Sequence, residues 1–234
     1  TTLNRDRFDI SVACGGEGIL VDKLRAEGVR VMPIFSMGRD ISLIRELRSL
    51  IEIFKVIKKQ KPDVLHLHSP KAGGLGAFAG RCLGVKKIVY TSHGWSFNED
   101  RNVLEKLLIK VFTWLIILLS HKTVVLNIKE LKQVNRWPLL STKLIVIPNG
   151  IKNEQYLSKD EARTKISHIL KKDISPDSFI VGTIAELHKN KGYRYAIEAL
   201  SKTPTVTYII ISDGEEELLM QEQISVLGAS NIFL

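Results

Sequence analysis

The sequence predicts an α/β protein of two domains, each a parallel sheet with helices on both faces. Three observations carry this. Short β-branched runs alternate with amphipathic stretches along the whole chain. Several runs, Ile88-Val89-Tyr90 and Tyr208-Ile209-Ile210-Ile211 among them, are apolar without alternation, as expected of strands buried on both faces. The pattern breaks once, at Ile147-Pro148-Asn149-Gly150, where Pro and Asn-Gly together mark a turn, and then resumes.

In chain order, strands are expected over residues 8–13, 30–35, 64–68, 87–91, 122–126, 144–147, 179–184, 207–212 and 231–234. Leu43, Leu47, Leu50, Ile51, Phe54 and Ile57 recur three and four apart and predict a helix with one apolar stripe. A further helix is expected from about residue 102 to residue 120. Residues 111–119 are apolar except for Thr113, but Glu105, Lys106 and Lys110 interrupt the first half. A bilayer-spanning helix needs about 20 mainly apolar residues, so no span is expected. Two readings stay open: a helix packed onto the sheet, or a helix that dips one face into a leaflet with its lysines at the headgroups. Beyond the turn come a polar helix over 159–170, a loop containing Ser175-Pro176, and a new β-α series from Phe179. This places the domains at 1–148 and 149–234.

Lys and Arg outnumber Asp and Glu by 34 to 25, for a formal charge of +9. That excess points to anionic partners, phosphates or an anionic membrane surface, with a solvated basic surface as the plain alternative. No aromatic-interleaved Arg cluster occurs, so nucleic acid is not an expected partner. Cys14 and Cys82 stand far apart and outside any CxxC pattern, which argues for a reducing compartment and against structural zinc. Thr1 opens a polar stretch with no signal-peptide pattern, and the chain stops on the apolar Ile232-Phe233-Leu234, so both ends read as cut.

Four segments concentrate chemistry. In 63–76 a strand runs into Ser69-Pro70 and then a helix. Ligands of open α/β sheets sit at the carboxyl ends of the strands, where His68, Ser69 and Lys71 are placed, and a helix start offers free N–H groups to an anion or a sugar hydroxyl. Gly73 and Gly74 let a ligand approach the backbone. Gly73, Gly76 and Gly80 equally let the helix lie close to the sheet. His66 and His68 share one strand face, but with His93 as the only further ligand and no acidic partner, no metal site is expected. A buried structural role suits His66.

In 90–99 His93 precedes Gly94, and Trp95, Phe97 and Asn98 follow, as a sugar-binding rim or as a loop whose aromatics fill the core. In 181–192 a strand containing Gly182 and Thr183 leads to Asn190, Lys191 and a helix start. A cation at that helix end is favourable when an anion such as a diphosphate lies between them, and is otherwise a solvated loop lysine. Asp213-Gly214 is a turn with three glutamates behind it, without functional weight alone. DxD, GxSxG and HExxH motifs are absent, and Gly15, Gly16 and Gly18 do not fit the dinucleotide fingerprint, which sets an NAD oxidoreductase aside.

His68-Ser69-Pro70-Lys71-Ala72-Gly73, Ser92-His93-Gly94-Trp95 and Val146-Ile147-Pro148-Asn149-Gly150-Ile151, followed by 181–192 and Asp213-Gly214, together resemble glycosyltransferase family 4 over nearly the whole chain. The resemblance implies the GT-B fold: two Rossmann-like domains, a nearly complete N-terminal acceptor-side domain and a truncated C-terminal nucleotide-sugar-binding domain. It implies retaining transfer from a nucleotide-diphosphate sugar to a lipid-linked or other saccharide acceptor, as in capsule or exopolysaccharide synthesis. The enzyme would be cytoplasmic, peripheral at the inner membrane face, and would need neither cofactor nor metal. By resemblance, His93 is the catalytic histidine that contacts the donor sugar, and Lys191 neutralises the diphosphate with Asn190, Gly182 and Thr183 beside it. His68, Ser69, Lys71, Gly74, Trp95 and Asn98 fall to the acceptor side. Thr183 stands where the family usually has Arg, with His188 or Lys189 as stand-ins. The family's first strand and its donor-binding glutamate pair are expected before Thr1 and after Leu234. Competing readings are a nucleotide-sugar epimerase of the same fold, and a truncated inactive product or membrane-surface scaffold.

Overall fold

The structure, a computed structural model, describes residues 3–38, 42–151, 155–174 and 178–234. The expected Ser175-Pro176 loop lies outside the described residues. The chain divides into two units, one ending at Gly150 and the other beginning at Ile151.

The first unit runs β1 (Ser11–Cys14), α1 (Ile19–Ala26), β2 (Arg30–Pro33), α2 (Leu43–Gln60), β3 (Val64–His68), α3 (Pro70–Cys82), β4 (Lys87–Thr91), α4 (Val103–Leu119), β5 (Lys122–Val125), α5 (Ile128–Val134) and β6 (Leu144–Val146). β1 pairs with β2, and β3-β4-β5-β6 form a second sheet in sequence order; every pairing is parallel. Parallel neighbours need a crossover, and α1, α3, α4 and α5 supply it. Among the described residues no ladder joins the two sheets. One core nonetheless runs from Ile34, Ile53 and Ile57 to Ile88, Tyr90, Ile117 and Val125.

α3 begins where Ser69 caps it and Pro70 occupies its first turn. It lies almost against the sheet because its inner face is glycine. A Cβ on Gly76 would sit 2.4 Å from Leu67, and one on Gly73 would sit 2.8 Å from the Tyr90 ring. Gly74 faces Ile116 of α4 at ordinary contact distance instead. Of the two uses the sequence allowed these glycines, close packing is the one the geometry fills.

The strands fall where expected, with shifts at their ends. β1 starts at Ser11 and leaves exposed Phe8 outside. In α2 the expected stripe is only half correct. Ser49, Ile53 and Ile57 are buried, while Leu43, Leu47 and Ile51 face out. Two carboxylates hold that rotation: Glu46 reaches Lys71 at 2.7 Å, and Glu52 accepts from the Ser36 hydroxyl at 2.8 Å. α4 splits along its length. Thr113, Ile116 and Ile117 are buried on the sheet, but Val103, Leu104, Leu107, Leu108, Val111 and Phe112 are exposed. Among the described residues no helix is long and apolar enough to cross a membrane.

The second unit runs α6 (Lys159–Leu170), β7 (Phe179–Ile184), α7 (Tyr193–Ser201), β8 (Val206–Ile211), α8 (Glu217–Val226) and β9 (Ile232–Phe233). Its parallel sheet has the order β7-β8-β9. Leu187, Tyr193, Ile197, Tyr208, Ile210, Met220 and Ile232 form its core. Ile211, read as buried, is exposed at the strand end.

Candidate functional site

The carboxyl ends of β3 and β4 bring three histidines together. Period-two alternation puts His66 and His68 on one face of β3, with ring centroids 4.3 Å apart. The register sets His66 opposite Val89 and His68 opposite Thr91, so His93 follows two residues past the end of β4. His68 Nδ1 lies 3.1 Å from His93 Nε2, and the rings stack at 5.4 Å. His66 Nε2 meets the Thr91 hydroxyl at 2.8 Å, as a structural role requires, but the residue is exposed on the strand face and not buried as expected. Partial burial first, and then the neighbouring imidazoles, hold His66 and His68 below the usual imidazole range. On the opposite, α3-facing side of β4, burial pushes the Tyr90 phenol up to about 12.

Backbone turns frame the cluster. Ser69 has φ 67° and ψ 150°, a region that non-glycine residues rarely enter. Its side chain still accepts from Ala72 N–H at 3.4 Å. Ser92 is fully buried and donates from Oγ to the Gly94 carbonyl at 3.2 Å. Gly94 has φ 111°, open to glycine and strained for any other residue.

Other expected site residues go elsewhere. The Lys71 ammonium pairs with Glu46 and donates to the Gly38 carbonyl at 2.8 Å, so it ties α3 to the α2 side of the unit. Trp95 is a core residue, 4% exposed. It donates its indole N–H to the Glu130 carbonyl and stacks on Phe97, which packs in turn on Trp137. A ring so placed has no face left for a sugar, which corrects the expected rim. Asn98 exchanges two amide hydrogen bonds with Gln133 of α5, at 3.2 and 3.0 Å.

In the second unit, Gly182 has open space beside it, and Thr183 Oγ1 lies 2.9 Å from the Tyr208 hydroxyl across the β7–β8 ladder. His188 bonds Glu215 at 3.2 Å through Nε2, and its Nδ1 accepts from Asn190 N–H. That engages one of the two groups suggested in place of the missing Arg. Lys189–Lys191 form one tight turn, closed by Gly192 at φ 71°, which begins α7. Asn190 and Lys191 are exposed at that helix start.

Asp213-Gly214, weak evidence of function when taken alone in the sequence, braces this loop. Leu187 N–H donates to the Asp213 carbonyl, and Glu216 N–H donates to the Leu187 carbonyl. A Cβ on Gly214 would meet the Leu187 carbonyl oxygen at 2.5 Å. Only the Asp-Gly turn signal could have pointed there. Glu46, Glu130 and Gln133, the partners of the expected site residues, left no signal, because pairing across elements has no local pattern. Among the described residues no group of three or more His, Cys, Asp or Glu could hold a metal ion.

Comparison with known proteins gives consistent relatives. The family model for Glycosyltransferase Family 4 matches residues 1–155. The chain is 32% identical over 229 residues to the Escherichia coli UDP-Gal:alpha-D-GlcNAc-diphosphoundecaprenol alpha-1,3-galactosyltransferase, covering 91% of this chain and 56% of that protein. It is 24% identical over 235 residues to the capsular polysaccharide biosynthesis glycosyltransferase CapM of Staphylococcus aureus, covering 94% and 58%. Among solved structures, Anabaena HepE in complex with UDP and glucose superposes with a TM-score of 0.74 at 20% identity, covering 95% of this chain and 61% of that one. The chain therefore spans little more than half the length of the curated relatives it matches.

Proposed function

The chain belongs to glycosyltransferase family 4, and from that membership we propose that the protein carrying it transfers a sugar, with retention, from a UDP-sugar to a lipid-linked saccharide in surface polysaccharide synthesis. A relative named for UDP-Gal and a diphosphoundecaprenol-linked GlcNAc supports both donor and acceptor class. In this reading residues up to Gly150 form the acceptor-side domain, and those from Ile151 open the donor domain. The observation that carries it is the exposed His93 at the carboxyl edge of a parallel sheet, held by His68 at 3.1 Å.

His93 contacts the donor sugar near the reacting carbon. As the nucleoside diphosphate leaves, negative charge grows on its oxygens. Lys191, Asn190 and the free N–H groups at the start of α7 take up that charge, which a fixed cation and a helix N-terminus do best when water is excluded. Gly182 leaves room for the nucleotide to lie along the end of β7, with Thr183 beside it. Ser69 and the α3 start, with His68 behind them, line the acceptor side.

Titration with UDP tests the donor half directly. Amide signals of residues 182–192 should shift. Lys191→Ala should weaken binding about tenfold or more, the loss expected of one charge-assisted hydrogen bond worth about 1.5–3 kcal/mol. Binding of UDP without any shift in that loop would place the donor elsewhere.

A further inference from the structure

The two histidines that meet at the sheet edge are each followed by a residue at positive φ, Ser69 at 67° and Gly94 at 111°. The first is strained and the second is open only to glycine. Both turns are pinned: Ser69 caps α3, and buried Ser92 donates to the Gly94 carbonyl. Two separate turns are thus fixed in conformations that bring one ring to the other.

A hydrogen bond between two neutral imidazoles holds one proton between two nitrogens, so the tautomer of one ring dictates that of its partner. Here the atoms are His68 Nδ1 and His93 Nε2. His93 Nε2 is engaged, and its Nδ1 has no hydrogen-bond partner among the described residues. The His66 ring lies 4.3 Å from that of His68, tilted 40° to it, and is itself held by the Thr91 hydroxyl. The titratable groups acting on His68 are His66 and His93, and the nearby Lys71 is paired with Glu46.

We infer that His68 is the positioning residue of His93: it locks the His93 ring into one tautomer and orientation and leaves Nδ1, not Nε2, as the atom offered to the ligand. This moves His68 from acceptor contact to support of the histidine in front of it. The consequence for the ligand rests on the proposed function; the locking itself does not.

Long-range proton–nitrogen spectra of the nitrogen-15-labelled protein that carries this chain, taken at neutral pH, test it. In the wild type, His93 should show one protonated and one bare ring nitrogen, with Nδ1 and Nε2 well separated in shift. His68→Phe keeps a ring and removes the bond, and should collapse the two shifts toward the average of a freely exchanging imidazole. His68→Asn places an amide where Nδ1 stood and should restore the separation. If His68→Phe does not fold, His68→Ala takes its place. Averaged shifts in the wild type, or wild-type shifts in the Phe or Ala variant, overturn the inference. The spectra need neither donor nor acceptor. A locked His93 in a protein that transfers no sugar upholds the inference and defeats the proposed function; an averaged His93 in an active transferase does the reverse.

Discussion

Gly76 and Gly74 sit two residues apart in α3 and answer to different neighbours. A methyl on Gly76 meets buried Leu67 at 2.4 Å, while one on Gly74 finds Ile116 at 3.8 Å. The helix-propensity gain from Gly to Ala, about 1 kcal/mol, is common to both. Gly76→Ala should therefore be the less stable by about 1–3 kcal/mol, the usual range for overpacking, and urea midpoints of the two variants measure the difference. The histidines give a second expectation. His66 and His68 have folded pKa values below the ordinary value, so the unfolded chain binds protons first as pH falls. Stability from these groups is fully present above about pH 6.5 and is lost as pH drops through their folded values. Urea midpoints should fall between pH 7.5 and pH 5.5, and less steeply in the His66→Gln, His68→Gln double variant. At this scale the sequence spoke clearly at Ser69-Pro70, where the expected helix start is the one observed, Ser69 capping α3 and Pro70 in its first turn. It was silent where a partner on another element decides. Lys71 is taken by Glu46, Trp95 by the Glu130 carbonyl, and Asn98 by Gln133.

α4 shows how one helix serves two surroundings. Its C-terminal half packs on the sheet through Ile116 and Ile117, one of the two readings that the largely apolar run 111–119 left open. Its N-terminal half bears Leu104, Leu107, Leu108 and Phe112 outward, beside Lys110, whose ammonium lies 5.8 Å from the Phe97 ring. An exposed apolar stripe flanked by lysines on a chain of charge +9 suits an anionic leaflet. We propose that this half of α4 holds the protein at the membrane surface. It should sediment with phosphatidylglycerol vesicles and not with phosphatidylcholine vesicles, and Leu108→Glu with Phe112→Glu should release it. Equal sedimentation of that double variant would assign the contact to another surface. The strands were legible because buried parallel strands read as unbroken apolar runs, β4 and β8 most plainly. The rotation of α2 was not: Glu46 and Glu52 fix it through partners far away in sequence.

At the scale of the whole molecule, the order β-α-β, the turn at residues 147–150 and the spacing of the His68, His93 and Lys191 segments made the family legible, since each marks the carboxyl end of a parallel strand or its following turn. The family model matches residues 1–155, which hold the His68 and His93 segments and the turn. The chain spans 56% of the galactosyltransferase it resembles. The direct test is transfer of a radiolabelled sugar from a UDP-sugar to GlcNAc-diphosphoundecaprenol by the protein that carries this chain. The account predicts a labelled lipid-linked disaccharide that keeps the donor's anomeric configuration, and a loss of about 10²–10⁴-fold in rate for His93→Ala. An epimerised donor with no labelled lipid, or full transfer by His93→Ala, would contradict it.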